Sequence, residues 1–328
     1  MNIANFDIGG SVNTVDSLKQ TALEFDQLNL LPTNDVKLLS ILLSQTMDKL
    51  CHQITTAENQ GIGKDQIIDI LKPVRKVFYQ SPFLFRCQEW PRGYHGDFET
   101  IEYLVNGTNK APNKTLAYCC EHYALNSPIA QQHRNKILQQ KQIIIETLQF
   151  KKRPNRILSI ASGGSIDIRK ALFEYPCSNS IFVINDIDKD ALDFAKSKLS
   201  PYEDTCSFNY IPGNVFRLVG KRVKPYGTFD AILTGGLFDY LPDKAVCYIL
   251  NGIFNNLLDK GSRLFFTNIG KNNPYSPWLI YMFNWILIER DEQDILKLIK
   301  DAQIENNFQV KIWRDSTNLT CLIEMIKQ

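Results

Sequence analysis

Acidic residues placed just after apolar runs are the feature of this sequence best suited to chemistry. Asn185-Asp186-Ile187-Asp188 closes one such run, and Ala161-Ser162-Gly163-Gly164-Ser165 closes the run before it, with Asp167 two residues on. A carboxylate at the carboxyl end of a buried strand can accept both hydroxyls of a ribose. A turn of small residues lets backbone approach a ligand at a helix N-terminus. Asp188 is better placed to cap the next helix, which leaves Asp186 for a ligand. Two further turns follow in order. Gly213-Asn214-Val215 offers an amide and an apolar neighbour for the edge and face of an adenine, and Thr234-Gly235-Gly236 ends another apolar run. Their succession at strand ends describes a nucleotide-sized site.

A dinucleotide is the main competitor for that geometry. Its pyrophosphate needs G-x-G-x-x-G, and Ser162-Gly163-Gly164-Ser165-Ile166-Asp167 puts an acid where the third glycine belongs. An acid there repels a pyrophosphate, whereas the sulfonium and ammonium of S-adenosylmethionine tolerate it. The cofactor read from the residues is therefore S-adenosylmethionine. Its expected contacts are Ser162, Gly163, Gly164, Asp167, Asp186, Ile187, Asn214, Val215, Thr234 and Gly235. A second constellation lies upstream, where Trp90-Pro91-Arg92-Gly93-Tyr94-His95-Gly96-Asp97 crowds polar aromatic and charged side chains into one loop. Such loops carry sites more often than cores do.

The elements that must position these groups follow from periodicity. From residue 155 on, apolar runs at 157–160, 181–184, 208–211, 229–233 and 264–269 alternate with helix-forming stretches at 168–173, 190–199 and 244–258. Alternation of this kind implies a parallel sheet with right-handed crossovers. A helix over 291–302 and two runs, 309–313 and 319–326, flanking Asp315-Ser316-Thr317-Asn318 then suggest an antiparallel edge pair. Five parallel strands plus that pair make an α/β, Rossmann-like seven-stranded sheet, the arrangement of class I methyltransferases. Before it, apolar positions Val36, Leu39, Leu42, Leu43 and Met47 recur at helical spacing after a cap at Asn34. Gly61-Ile62-Gly63 and Pro73 break the helical region, and Ser127-Pro128 opens a long helix over 129–150.

Composition excludes several classes. A net charge of +2, with no basic block longer than Lys151-Lys152-Arg153, argues against a nucleic-acid partner. The eight cysteines include no CxxC, and Cys119-Cys120 are adjacent, so neither a metal site nor a disulfide frame is expected. Free thiols, the absence of a basic-then-apolar leader at Met1–Asp7, and an apolar stretch at 278–288 too short to span a bilayer point to the cytoplasm.

With these motifs in hand, residues 90–328 resemble class I methyltransferases related to bacterial 3-hydroxypalmitic acid methyl ester synthases. The resemblance rests on Arg92-Gly93-Tyr94-His95-Gly96-Asp97, the strand and turn Ile157 to Gly163, Asp186-Ile187-Asp188, Gly236-Leu237-Phe238-Asp239-Tyr240-Leu241, and Asn284-Trp285 with Arg290. Ala161 and Ser165 stand where the family has glycines, and Asp167 where it tends to have Glu. The resemblance implies methyl transfer to a small-molecule, lipid-like or peptide acceptor, with a carboxylate giving a methyl ester. A carboxylate is already ionised at neutral pH and needs donors to orient it, for which Arg92 and Tyr94 are candidates. A hydroxyl or amine needs a general base instead, for which His95 or Asp97 is a candidate. Against this, Asp97 suits a cap for the helix from Phe98. Further acceptor contacts are expected from Asp97, Phe238, Tyr240, Asn268, Tyr275, Tyr281 and Trp285. N-methylation, or cofactor binding without catalysis, are the alternatives. The expected organisation is a helical cap or substrate region over 1–126 and a cofactor domain over 127–328, with exposed N-terminal helices leaving room for a homodimer.

Overall fold

The computed structural model describes residues 13–30, 35–150, 154–176, 179–222, 227–304 and 308–328. Asn34, Lys151-Lys152-Arg153, Cys177 and Met1–Asp7 lie outside the described residues. The helices are α1 (Thr14–Gln27), α2 (Val36–Asn59), α3 (Lys64–Ile70), α4 (Lys72–Phe78), α5 (Pro82–Glu89), α6 (Phe98–Asn106), α7 (Leu116–Asn126), α8 (Pro128–Phe150), α9 (Ile166–Glu174), α10 (Lys189–Leu199), α11 (Val215–Arg217), α12 (Asp243–Leu257), α13 (Ser276–Phe283) and α14 (Glu292–Asp301). The strands are β1 (Arg156–Ile160), β2 (Ser180–Asp186), β3 (Cys206–Pro212), β4 (Phe229–Thr234), β5 (Leu258–Ile269), β6 (Phe308–Arg314) and β7 (Thr320–Lys327).

Local signals explain the boundaries. Asp35 accepts from Leu38 N at 2.9 Å and caps α2. The chain breaks between α3 and α4 at Leu71, where Pro73 stands in the first turn of α4. Ser127 Oγ accepts from Ala130 N at the start of α8. Among the described residues no helix is long and apolar enough to cross a membrane.

The chain forms two compact units, and a single cut after residue 126 does not describe them. Residues 1–91, 109–124 and 274–285 form one unit; 92–108, 125–273 and 286–328 form the other. The reason is where apolar faces find partners. In α13, Pro277, Trp278, Leu279, Tyr281, Met282 and Phe283 are all buried, and the helix packs on α2, α3 and α5. Arg75 Nη1 donates to the carbonyls of Tyr281 and Met282 at 2.6 and 2.8 Å, satisfying the end of α13. Phe78 stacks on Phe283 at 6.1 Å and meets Phe25 edge-on at 5.2 Å.

The second unit is built on a seven-stranded sheet of order β3-β2-β1-β4-β5-β7-β6. β1 to β5 are parallel, and β7 runs antiparallel between β5 and β6. Alternation along each strand sends side chains to opposite faces. Ile157, Phe182, Ile184, Ala231, Leu233 and Phe265 meet α8, α9 and α10 on one face. Leu158, Val183, Ile232, Leu264, Phe266 and Ile323 meet α12 and α14 on the other. The result is a three-layer α/β/α unit. The Asp315 to Asn318 segment closes the β6–β7 hairpin, with Asp315 Oδ1 accepting from Leu319 N and Thr320 N, each at 3.1 Å.

Candidate functional site

Parallel strands end at one edge, so each turn that follows a strand arrives at the same edge. Ile160 of β1 lies opposite Asn185 of β2, which brings the turn at 161–165 beside Asp186. Gly163 N donates to Asp186 Oδ2 at 2.8 Å, and Asp188 N to Oδ1 at 2.9 Å. Two backbone amides thus hold the carboxylate, one on each oxygen, and each oxygen keeps further acceptor capacity. Burial pushes the Asp186 carboxyl above its ordinary range, against the pull of those amides. Asp188 caps α10 by accepting from Asp190 N at 3.0 Å.

The turn owes its shape to left-handed backbone at Ala161 (φ 50°), Gly163 (φ 52°) and Ser165 (φ 53°). Two of those three residues, Ala161 and Ser165, bear a Cβ. The hydroxyls of Ser162 and Ser165 are buried without a hydrogen-bond partner, as is Thr234 Oγ1 at the end of β4. Asp167 is buried in the first turn of α9, accepting from Gln140 Nε2 at 2.8 Å and Ile168 N at 2.9 Å. Burial pushes its carboxyl up to about 6. Gly235 faces the same side chain: a Cβ there would lie 2.0 Å from Gln140 Oε1. Gly164 is covered by Glu102, which would sit 2.5 Å from an added Cβ, and by Phe194 at 3.1 Å. Asn214 caps α11 through its Oδ1 while remaining exposed. Val215 is buried in the core, and Ile187 is 67% exposed. The anchored Asp186 carboxylate, the partnerless hydroxyls of Ser162, Ser165 and Thr234 and the exposed Ile187 thus lie at the carboxyl ends of β1, β2 and β4.

The loop before α6 joins this edge. Arg92 Nε and Nη2 donate to the two oxygens of Asp188 at 2.6 and 2.8 Å, and Nη2 also reaches Asp190. Tyr94 OH donates to Asp188 Oδ2 at 2.9 Å. The Arg92 guanidinium holds the Asp188 carboxyl below the usual range, and burial pushes the Tyr94 phenol above its own. Phe98 packs on Phe194 at 5.3 Å, and Glu102 pairs with Arg169. Arg92 and Tyr94 therefore brace the acidic turn, a correction to their expected role in orienting an acceptor: Asp188 and Asp190 engage Arg92 Nε and Nη2 and the Tyr94 hydroxyl, and Arg92 Nη1 lies 3.6 Å from Glu99. His95 is half-buried in the same loop.

Several expected acceptor contacts hold the fold instead. Asp97 caps α6, with Oδ1 accepting from Glu99 N and Thr100 N at 3.0 Å each. Asn268 donates to the carbonyls of Ile269 and Ile288 and accepts from Arg290 Nη1, so both its donors are committed to the fold. Phe238 is 1% exposed and packs on Phe266 at 5.1 Å. Tyr240 is 40% exposed on the turn after β4. Tyr275, Tyr281 and Trp285 belong to the helical unit, where Tyr281 OH donates to Glu58 at 2.7 Å and Trp285 is buried. The residues missed by sequence reasoning are Gln140 and Lys136 on α8 and Glu102 on α6. Their signal was there for α8: Lys136 and Gln140 are four apart and so share one helical face with Gln132.

No family model matches the sequence, and no curated protein matches it. Solved structures do. A possible exported protein from Bordetella parapertussis is 14% identical, with a TM-score of 0.56 over 98% of this chain and 99% of its own. The CurJ carbon methyltransferase is 12% identical, with a TM-score of 0.52 over 95% of this chain and 91% of its own. At such identities the likeness concerns the fold. The strand order and reversed β7 are those of the class I methyltransferase fold.

Proposed function

We propose that the protein is an S-adenosylmethionine-dependent O-methyltransferase that forms a methyl ester on a small-molecule, lipid-like or peptide carboxylate, akin to the 3-hydroxypalmitic acid methyl ester synthases. The observation that carries the reading is Asp186, held at the end of β2 by one backbone amide on each oxygen and still able to accept. When bound, the cofactor supplies an electrophilic methyl on a sulfonium. Asp186 receives the ribose hydroxyls, Asn214 and Ile187 receive the adenine, and Ser162, Thr234 and the Gly235 backbone lie toward the methionine end. Transfer then depends on alignment and exclusion of water. A carboxylate acceptor needs no base; an acceptor carrying a proton would draw on His95. A reducing, cytoplasmic setting belongs to the same proposal and rests on cysteine spacing that offers no disulfide frame.

Calorimetric titration with S-adenosylhomocysteine tests the cofactor. Asp186→Ala is expected to weaken binding by roughly tenfold or more, the loss of about 1.4 kcal/mol; unchanged affinity sinks the assignment. A labelled-methyl assay across an acid library tests the acceptor. Label released by mild base marks an ester, and base-stable label an ether or amine. Binding without transfer would leave a cofactor-binding protein that is not an enzyme.

A further inference from the structure

Gln132, Lys136 and Gln140 recur every four residues along α8, each less than one-tenth exposed, so they share one face. Each serves a different part of the site edge. Gln132 Oε1 accepts from Thr320 Oγ1 at 2.7 Å, where β7 begins beside the end of β5. Gln140 donates to Asp167, after β1. Lys136 Nζ lies 3.5 Å from Asp239 Oδ2, on the turn after β4.

Lys136 differs from the two glutamines. Its ammonium carries three donors, and this ion pair is long for a hydrogen bond, although both side chains are only 5% exposed. Burying an ammonium costs several kcal/mol unless it is well coordinated. Asp239 is shared as well: its Oδ1 accepts from Ile269 N at 2.6 Å. The ammonium lies against the Gly235-Gly236 turn, 3.4 Å from where a Cβ on Gly236 would stand. On the same turn Thr234, 1% exposed, holds its orphaned hydroxyl. A cation with donors to give and an unpartnered buried hydroxyl two residues from Gly236 are complementary to a carboxylate. Three arginines near this edge are already engaged: Arg92 by Asp188 and Asp190, Arg169 by Glu102, and Arg290 by Asp243, Asn268 and backbone carbonyls.

We propose that Lys136 is the carboxylate anchor of the site, resting on the S-adenosylmethionine reading above. Two ligands bring a carboxylate to this turn: the cofactor, through its amino-acid end, and the acceptor. The experiment separates them using the full chain and two variants. Lys136→Met combined with Asp239→Asn removes both charges, so neither is left buried alone. Asp239→Asn by itself releases Lys136 from its competitor.

Titrations use S-adenosylhomocysteine and its decarboxylated analogue. If the cofactor is the source, the wild-type protein prefers the carboxylated form by roughly 10- to 100-fold, as for a hydrogen bond to a charged group. The double variant then loses that preference, and Asp239→Asn sharpens it. If the acceptor is the source, S-adenosylhomocysteine affinity stays unchanged in the double variant. The KM for a carboxylate acceptor then rises about tenfold or more at similar kcat, and falls in Asp239→Asn. Lys136 is overturned if the double variant keeps both the preference and the KM, or, should it not fold, if Asp239→Asn improves neither. Failure of the wild-type protein to bind S-adenosylhomocysteine would instead bring down the cofactor reading, and this one with it.

Discussion

At the scale of single residues, the turn after β1 is held in a conformation its own side chains resist. A Cβ in left-handed backbone costs roughly 1–2 kcal/mol, offset in glycine by about 0.5–1 kcal/mol of extra chain entropy. Ala161 is exposed with φ 50°. Ala161→Gly is therefore expected to raise stability by about 0.5–1 kcal/mol in urea unfolding, and a loss of similar size would contradict the strain. Asp167 gives a pH signature. Its folded carboxyl titrates at about 6 because of burial, against about 3.9 in an unfolded chain. The folded state thus binds the proton more tightly. Stability is greatest below pH 4 on this account and falls as pH rises from about 4 to about 6, by roughly 3 kcal/mol for this group. Urea midpoints for wild type and Asp167→Asn over pH 4–7 should converge at the acid end and favour the variant at neutral pH. A difference that does not vary with pH would remove the claim.

At the scale of elements, α8 does more than cover one face of the sheet. Its Gln140 ties the first turn of α9 to the end of β4, since the amide that donates to Asp167 also fills the space beside Gly235. Gly235→Ala should push the Gln140 amide away, leaving a buried carboxylate short of a donor at a cost of about 1–3 kcal/mol. Most of that cost should vanish in a Gln140→Ala background, where the clash and the bond are both absent. A double-mutant cycle measures this coupling, and strict additivity would show that the two residues do not act through each other. Periodicity revealed that α8 exists and where it begins. It did not reveal what its polar face meets, because Asp167, Asp239 and Thr320 lie 27, 103 and 188 residues away from their partners.

At the scale of the whole molecule, Arg290 gathers segments from three regions of the chain. Its guanidinium, 3% exposed, donates to the carbonyls of Phe238 and Leu241, to Asn268 and to Asp243. Arg290→Met would leave the buried Asn268 Oδ1 and the half-buried Leu241 carbonyl without their donor, and a loss of about 2–4 kcal/mol is expected at roughly 1–3 kcal/mol each. Thermal or urea unfolding checks it; a change below about 0.5 kcal/mol would mean the carbonyls find other donors. The same long-range logic explains the division of the chain. Nothing in the pattern of residues 274–285 says which unit their helix joins, because an all-round apolar helix fits any core. Only the packing of α13 on α2, α3 and α5 answers that.

By itself the sequence determined the sheet, its antiparallel edge pair and the turns at its carboxyl edge. Strand period, capping residues and small-residue turns are local properties that survive without knowledge of partners. It also distinguished Asp188 as the cap from Asp186 as the acid left at the strand end, since capping is decided within three residues. Only the tertiary structure decided which polar side chains are engaged. It turned Arg92 and Tyr94 toward Asp188, bound Asn268 into the fold, and brought Lys136 to the turn after β4. Hydrogen bonds and ion pairs among distant residues depend on relative position in space, which residue type and spacing do not carry.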